Sequence, residues 1–137
     1  MDDLEKFVTA QAPLYERALA ELRAGCKRSH WMWFIFPQIA GLGRSATARQ
    51  YAIASLGQAR AYLAHPLLGP RLHECCALVL AVEGRTAHQL FGDPDVIKFR
   101  SCLTLFSSAA PHEPVFAQCL EKYYGGVPDA ATLALLG

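Results

Sequence analysis

Six large apolar residues stand in one unbroken run, Trp31-Met32-Trp33-Phe34-Ile35-Phe36, and no other feature of the chain restricts its fold so strongly. A half-solvated strand alternates polar with apolar residues, and a half-solvated helix shows an apolar stripe. This run does neither, so it must be covered on every side. It is far too short to span a bilayer. Ser29 ahead of it suits a helix cap, and Pro37 behind it ends a helix. The expectation is a buried helix with Trp33, Phe34 and Phe36 in the core. Each buried indole N–H needs a partner, and two tryptophans so close together raise a second expectation. Either Trp31 or Trp33 forms the wall of a pocket that stacks a planar ring.

The remaining punctuation is helical. A short helix is expected near residues 4–11. A second carries Leu14, Tyr15, Ala18, Leu19 and Leu22, from Pro13 to a stop at Gly25. Ser45 caps another through about residue 54, and residues 57–64 form one more. The segment after Pro66 reads as a well-buried helix stopped by Gly84. Asp93-Pro94 starts a helix, with Asp93 as its cap, whose core stripe is Val96, Phe99, Leu103 and Phe106. Pro114 to Tyr124 and a short segment capped by Asp129 complete the set. No segment alternates with period two, and repeats and linkers are absent. The fold class is all-α: a compact orthogonal bundle of short helices with a buried aromatic central helix, in a single domain over residues 1–137.

Composition removes several function classes. The formal net charge is +1, so nothing draws the whole molecule to nucleic acid or an acidic membrane. The opening MDDLEKF lacks the basic and apolar regions of a secretory leader. The five cysteines, Cys26, Cys75, Cys76, Cys102 and Cys119, are odd in number and form no CxxC. They read as buried free thiols in a reducing cytoplasm rather than as a disulfide framework. His30, His65, His73, Cys75 and Cys76 show no zinc-site spacing, so no metal is expected, and no cofactor is implied.

The polar residues around the aromatic run carry the chemistry. Lys27 and Arg28 precede Ser29 at one expected helix start, and Arg44 precedes Ser45 at the next. A helix start offers unpaired N–H groups and the positive end of a dipole, so two of them with three basic side chains would hold a phosphate or diphosphate. Asp95, Lys98 and Ser101 recur at intervals of three and share one face of the later helix. They form either a surface ion pair or a strip lining a site.

The stretches FVTAQ (7–11), ALAELRAGCKRSHWMWFIFPQIAGLGRSATARQYAI (18–53), AYLAHPLLGPRLHE (61–74) and FGDPDVIKFRSCLTLF (91–106) resemble the DUF1810 family, a mainly bacterial domain of unknown function. The resemblance implies a compact all-α domain. Cys102 stands where family members often carry a second serine, which removes that hydroxyl from consideration here. A more distant similarity, in a tryptophan-bearing helix and a later lysine-bearing helix, is to the NADAR group. Its members are associated with NAD and ADP-ribose chemistry, including N-glycosidic cleavage.

Two functional expectations follow. One is hydrolysis of an N-glycosidic bond in an ADP-ribose-like or nucleotide-like substrate. In that case Asp95 is the carboxylate and His30 or Lys98 the proton donor. Trp31 stacks the ring, Gln38 reads a base edge or sugar hydroxyl, and Lys27, Arg28, Arg44 and Ser45 hold phosphate beside Ser101. The other is a non-catalytic module that binds a small ligand or a protein. Convergence of Trp31, Gln38, Arg44, Asp95 and Lys98 on one cavity favours the first, and dispersal favours the second. Neither the oligomeric state nor a membrane role is implied by these residues.

Overall fold

The structure is a computed structural model that describes residues 4–137; the acidic MDD start, on which the leader reading partly rests, lies outside the described residues. Ten short helices occur among them. Helix α1 (Glu5–Gln11) leads into α2 (Tyr15–Ala24), which buries Tyr15, Ala18, Leu19 and Leu22. Gly25 ends α2 with φ 74°, and its N–H returns to the carbonyls of Glu21 and Leu22. Only glycine takes up that left-handed position without a steric cost.

The aromatic run is buried, yet it is helical over one turn only, α3 (Met32–Ile35). Ser29 does not cap it. Trp31 is the N-cap, with no side-chain hydrogen bond. Phe36, the residue before Pro37, leaves the helical region with φ −126° and ψ 72°. Ile53 N–H then donates to Gln38 O and Ala40 N–H to Ile53 O, each at 2.8 Å. This isolated parallel bridge between Ile39 and Ile53 explains why α4 (Ala46–Gln50) stops short of residue 54. Ser45 does cap α4, its Oγ accepting from Ala48 N–H at 3.1 Å.

Helix α5 (Leu56–Ala64) follows, and α6 (Leu68–Ala81) ends before Gly84. Lys122 Nζ donates to the carbonyls of Leu80 and Val82, and Tyr123 Oη donates to that of Val79. The terminal carbonyls of α6 therefore have partners without another turn. Helix α7 (Ala87–Phe91), absent from the sequence expectation, carries a capping box of Thr86 and Gln89. Helix α8 (Asp95–Ala109) has Pro94, not Asp93, as its N-cap, and the Asp93 carboxylate pairs with His88 instead, at 2.9 Å. Helix α9 (Pro114–Tyr124) and α10 (Ala130–Leu136), the latter capped by Asp129, complete the chain.

Helix α8 packs against α5, α7, α9 and α10, and residues 101–106 along it are all buried. Phe36 meets Phe99 and Phe91 with ring centroids 4.8 and 5.9 Å apart, which joins the aromatic run to α7 and α8. Gln11, 1% exposed, donates to Phe34 O at 2.7 Å and to Tyr62 Oη at 3.1 Å, while Arg71 donates to its Oε1. One buried carboxamide thus links α1, α3, α5 and α6. Cys75, Cys76, Cys102 and Cys119 are buried and unpaired, and Cys26, expected to be buried, is unpaired but only half-buried. Burial pushes the Cys75 thiol up to about 12 and raises Cys76 and Cys102 as well, so these sulfurs are held protonated.

The junction of α5 and α6 sets a sharp steric limit. A Cβ at Gly69 would lie 2.0 Å from the Leu63 carbonyl oxygen. Gly69→Ala is expected to cost about 1–3 kcal/mol or more, as overpacking of a closed core does. Urea unfolding measures it, and an unchanged midpoint would show that the junction gives way freely.

Candidate functional site

The loop from Cys26 to Trp31 is shaped by a carboxylate. Glu21, in the last turns of α2, accepts from the backbone N–H of Arg28 at 2.8 Å and of Ser29 at 2.9 Å. Ser29 Oγ donates to it at 2.6 Å and Trp31 Nε1 at 3.0 Å. Burial alone would raise its pKa. The donors, Ser29 Oγ foremost, outweigh that and hold the carboxyl at about 2. The anion site expected around Ser29 is therefore occupied from within the protein. Nothing in the sequence marks Glu21 for this task.

That loop presents Lys27 to the first turn of α8. Lys27 N–H donates to Leu90 O at 2.8 Å, which sets the backbone. Lys27 Nζ lies 2.8 Å from Asp95 Oδ2, with the two side chains only 8% and 16% exposed, and 5.1 Å from the centroid of the Trp31 ring. Lys98 Nζ is 3.8 Å from Asp95 Oδ1 and 5.1 Å from the centroid of the Trp33 ring. One carboxylate thus stands between two ammonium groups, each over the face of an indole, a favourable setting for a cation.

This cluster lines a cavity of about 380 Å³ that includes Lys27, His30, Trp33, Asp95 and Lys98, with Phe91 as apolar wall. An adjoining cavity of about 260 Å³ shares Pro94 and Lys98 with it and brings in Gln38, Ser101 and Asp129. The residues chosen from sequence divide accordingly. Lys27, His30, Asp95 and Lys98 meet in the first cavity, while Gln38, Lys98 and Ser101 meet in the second. Arg28, Trp31, Arg44 and Ser45 line neither, so the five residues whose convergence would mark an enzyme converge only in part: Asp95 meets Lys98 in the first cavity and Gln38 meets Lys98 in the second. Trp31 is 0% exposed and has its N–H on Glu21, so it cannot stack a ligand. Trp33, expected in the core, is half-buried and supplies the wall instead. Arg28 and Arg44 are exposed, and the Ser45 hydroxyl is taken by its own helix, so the two helix starts do not form a joint phosphate site.

A roomier hollow of about 520 Å³ opens at the far ends of α5 and α8, beside Arg60, His112 and Glu113. Two of its polar groups have protein partners: Arg60 Nε donates to Ala109 O, and Glu113 pairs with His73 at 2.6 Å. It gathers none of the candidate residues. The ion-paired cavity is the stronger site, because partly covered charges against aromatic walls are what a polar ligand can exploit. Among the described residues no group of three or more His, Cys, Asp or Glu is placed to hold a metal ion.

The whole chain has known counterparts. Residues 1–136 match the profile of the family described as "Protein of unknown function (DUF1810)". The chain belongs to the DUF1810 family. It is similar to the crystal structure of the conserved hypothetical protein Rv1873 from Mycobacterium tuberculosis, with 55% identity and a TM-score of 0.97 over 98% of this chain and 96% of that one. No curated protein matches it. No helix among the described residues of this DUF1810 protein is long and apolar enough to cross a membrane.

Proposed function

We propose that this DUF1810 protein binds a small phosphate-bearing, nucleotide-like molecule, of the NAD or ADP-ribose type, in the Lys27–Asp95–Lys98 cavity and hydrolyses its N-glycosidic bond. The observation that carries the reading is the single Asp95 carboxylate fixed between two ammonium groups beside the face of Trp33. Cleavage of such a bond builds positive charge on the sugar, and a carboxylate already in place stabilises it without reorganisation. Lys27 holds that carboxylate and so acts by positioning. The contact of Lys98 with Asp95, at 3.8 Å, is longer than a hydrogen bond, which leaves its N–H groups available to a phosphate or to the leaving nitrogen. His30, exposed at the rim of the cavity, offers a second donor. The similarity to the NADAR group points to the same bond. The unpaired thiols suit a reducing cytoplasm.

Thermal unfolding with NAD, ADP-ribose and simple nucleotides tests the binding half. A ligand at about a hundred times its Kd should add about 2.7 kcal/mol of stability, and Lys98→Ala should remove most of that gain. Chromatographic detection of the released base tests the chemical half. If no nucleotide shifts the unfolding curve, the reading is wrong.

A specific observation favours a second reading, a binding module without catalysis. The Lys27–Asp95 pair is largely covered, and it ties the 26–31 loop to α8 whether or not a ligand is present. A saturable thermal shift without release of base over hours would select this reading.

A further inference from the structure

We infer that the site is bipartite: the cavity beside Gln38 seats a flat ring, while the adjoining Lys27–His30–Lys98 cavity takes the anionic end of the same ligand. The inference rests on the ligand-binding reading above and assigns the chemistry of its two halves.

The two cavities differ in their walls. The first presents Lys27, His30, Asp95 and Lys98. In the second, the α8 side contributes Ile97 and Ser101, the 38–43 loop contributes Leu42, and the start of α10 contributes Ala131. This is mostly apolar surface, and a volume of about 260 Å³ suits one ring system rather than a charged chain. Its polar residues are Gln38, Lys98, Ser101 and Asp129. Gln38 gives its backbone carbonyl to Ile53 and is one of the residues that line the cavity. A carboxamide offers donors and an acceptor together, the pattern that a heterocycle or amide edge requires. Ser101, 1% exposed, donates to Ile97 O at 3.1 Å and forms part of the floor of the cavity.

The seat is formed before any ligand arrives. The bridge to Ile53 holds the 38–43 loop on one side. On the other side, Asp129 N–H donates to Thr104 Oγ1 at 2.8 Å and Arg100 Nε donates to Val127 O at 2.8 Å, so α10 begins at a fixed place against α8. Leu135 closes over Gly41, where a Cβ would meet its methyl carbons at 3.1 and 3.3 Å. Lys98 lines both cavities, so a ligand in both would pass its linking bond beside that ammonium and the Asp95 carboxylate. The arrangement fits a mononucleotide-sized unit, base in one cavity and phosphate in the other.

Calorimetric titration with AMP, nicotinamide mononucleotide, adenosine and ribose 5-phosphate tests the assignment. A mononucleotide should bind at least tenfold tighter than either fragment. Ile97 is 60% exposed, so Ile97→Trp can crowd the ring seat without disturbing the core. It should lower the ratio of mononucleotide to ribose 5-phosphate affinity at least tenfold, and Gln38→Ala should lower it severalfold. Lys98→Ala should lower the ratio of AMP to adenosine affinity. If ribose 5-phosphate binds as tightly as the mononucleotides and Ile97→Trp leaves the ratio unchanged, the ring seat is refuted while the anion-binding reading stands. If adenosine binds as tightly as AMP, the phosphate assignment falls. Binding of none of the four would overturn both this inference and the reading beneath it.

Discussion

Asp95→Ala is expected to destabilise the protein by about 3 kcal/mol, the low end of the cost of leaving a covered charge without its partner. The charge left behind is Lys27, whose side chain is 8% exposed and whose ammonium has Asp95 at 2.8 Å. The second lysine cannot rescue it, because Lys98 carries the same sign. A double variant, Lys27→Met with Asp95→Leu, removes both charges and keeps comparable volume. It should recover most of the loss, since apolar replacement of a covered pair is often neutral or stabilising. The pair of variants separates structure from function: the double variant should unfold near the wild-type midpoint and yet fail to bind or turn over nucleotide. Urea titration and ligand titration measure the two quantities independently. A loss below about 1 kcal/mol in Asp95→Ala would mean that solvent screens the pair as it does at an open surface.

Trp31→Ala should cost about 3–5 kcal/mol, the range for truncating a large core aromatic. The ring is 0% exposed, packs with Phe36 at a centroid distance of 6.1 Å and gives its N–H to Glu21. The same assembly predicts a pH dependence. Glu21 has a folded pKa of about 2 against an ordinary 4.5, so its contribution is fully present above about pH 4.5 and fades as the pH falls towards 2. Glu21→Gln should therefore be less stable than the wild type at neutral pH, and its stability should vary less between pH 4.5 and 2. Parallel stability curves for the two proteins over that window would show that the carboxylate is not held by these donors.

The elements that can be read from sequence are those whose signals are local. Gly25, Ser45, Pro114 and Asp129 begin or end helices where expected, because each acts on its immediate neighbours. The departures arise where a distant partner decides. Ser29 has the sequence setting of a cap, but Glu21, eight residues earlier, claims it. Asp93 has the same setting, but His88 pairs with it. The helix after Ser45 stops early because Ile53 pairs with the chain at residues 38–40. Helix α7 escapes a reading by periodicity although its Thr86 and Gln89 have capping-box spacing, because its five residues are too few to show a period. The site is legible in part for the same reason. Asp95 and Lys98 share a face by helix geometry alone, whereas the approach of Lys27 depends on a loop shaped by Glu21. Which indole faces the cavity cannot be read from the run itself, since the two differ only in what folds over them.

The unequal surroundings of those two indoles make the protein its own optical probe. It has only two tryptophans. One is sealed in the core with its N–H bound to a carboxylate, and the other stands at the cavity wall beneath an ammonium. The first does not line the cavity, so no ligand there stacks on it. The second sits where a stacked ring or a displaced lysine changes its emission directly. Occupancy of the cavity can thus be followed by intrinsic fluorescence, without a label and whatever the ligand proves to be, and a Trp33→Phe protein supplies the blank.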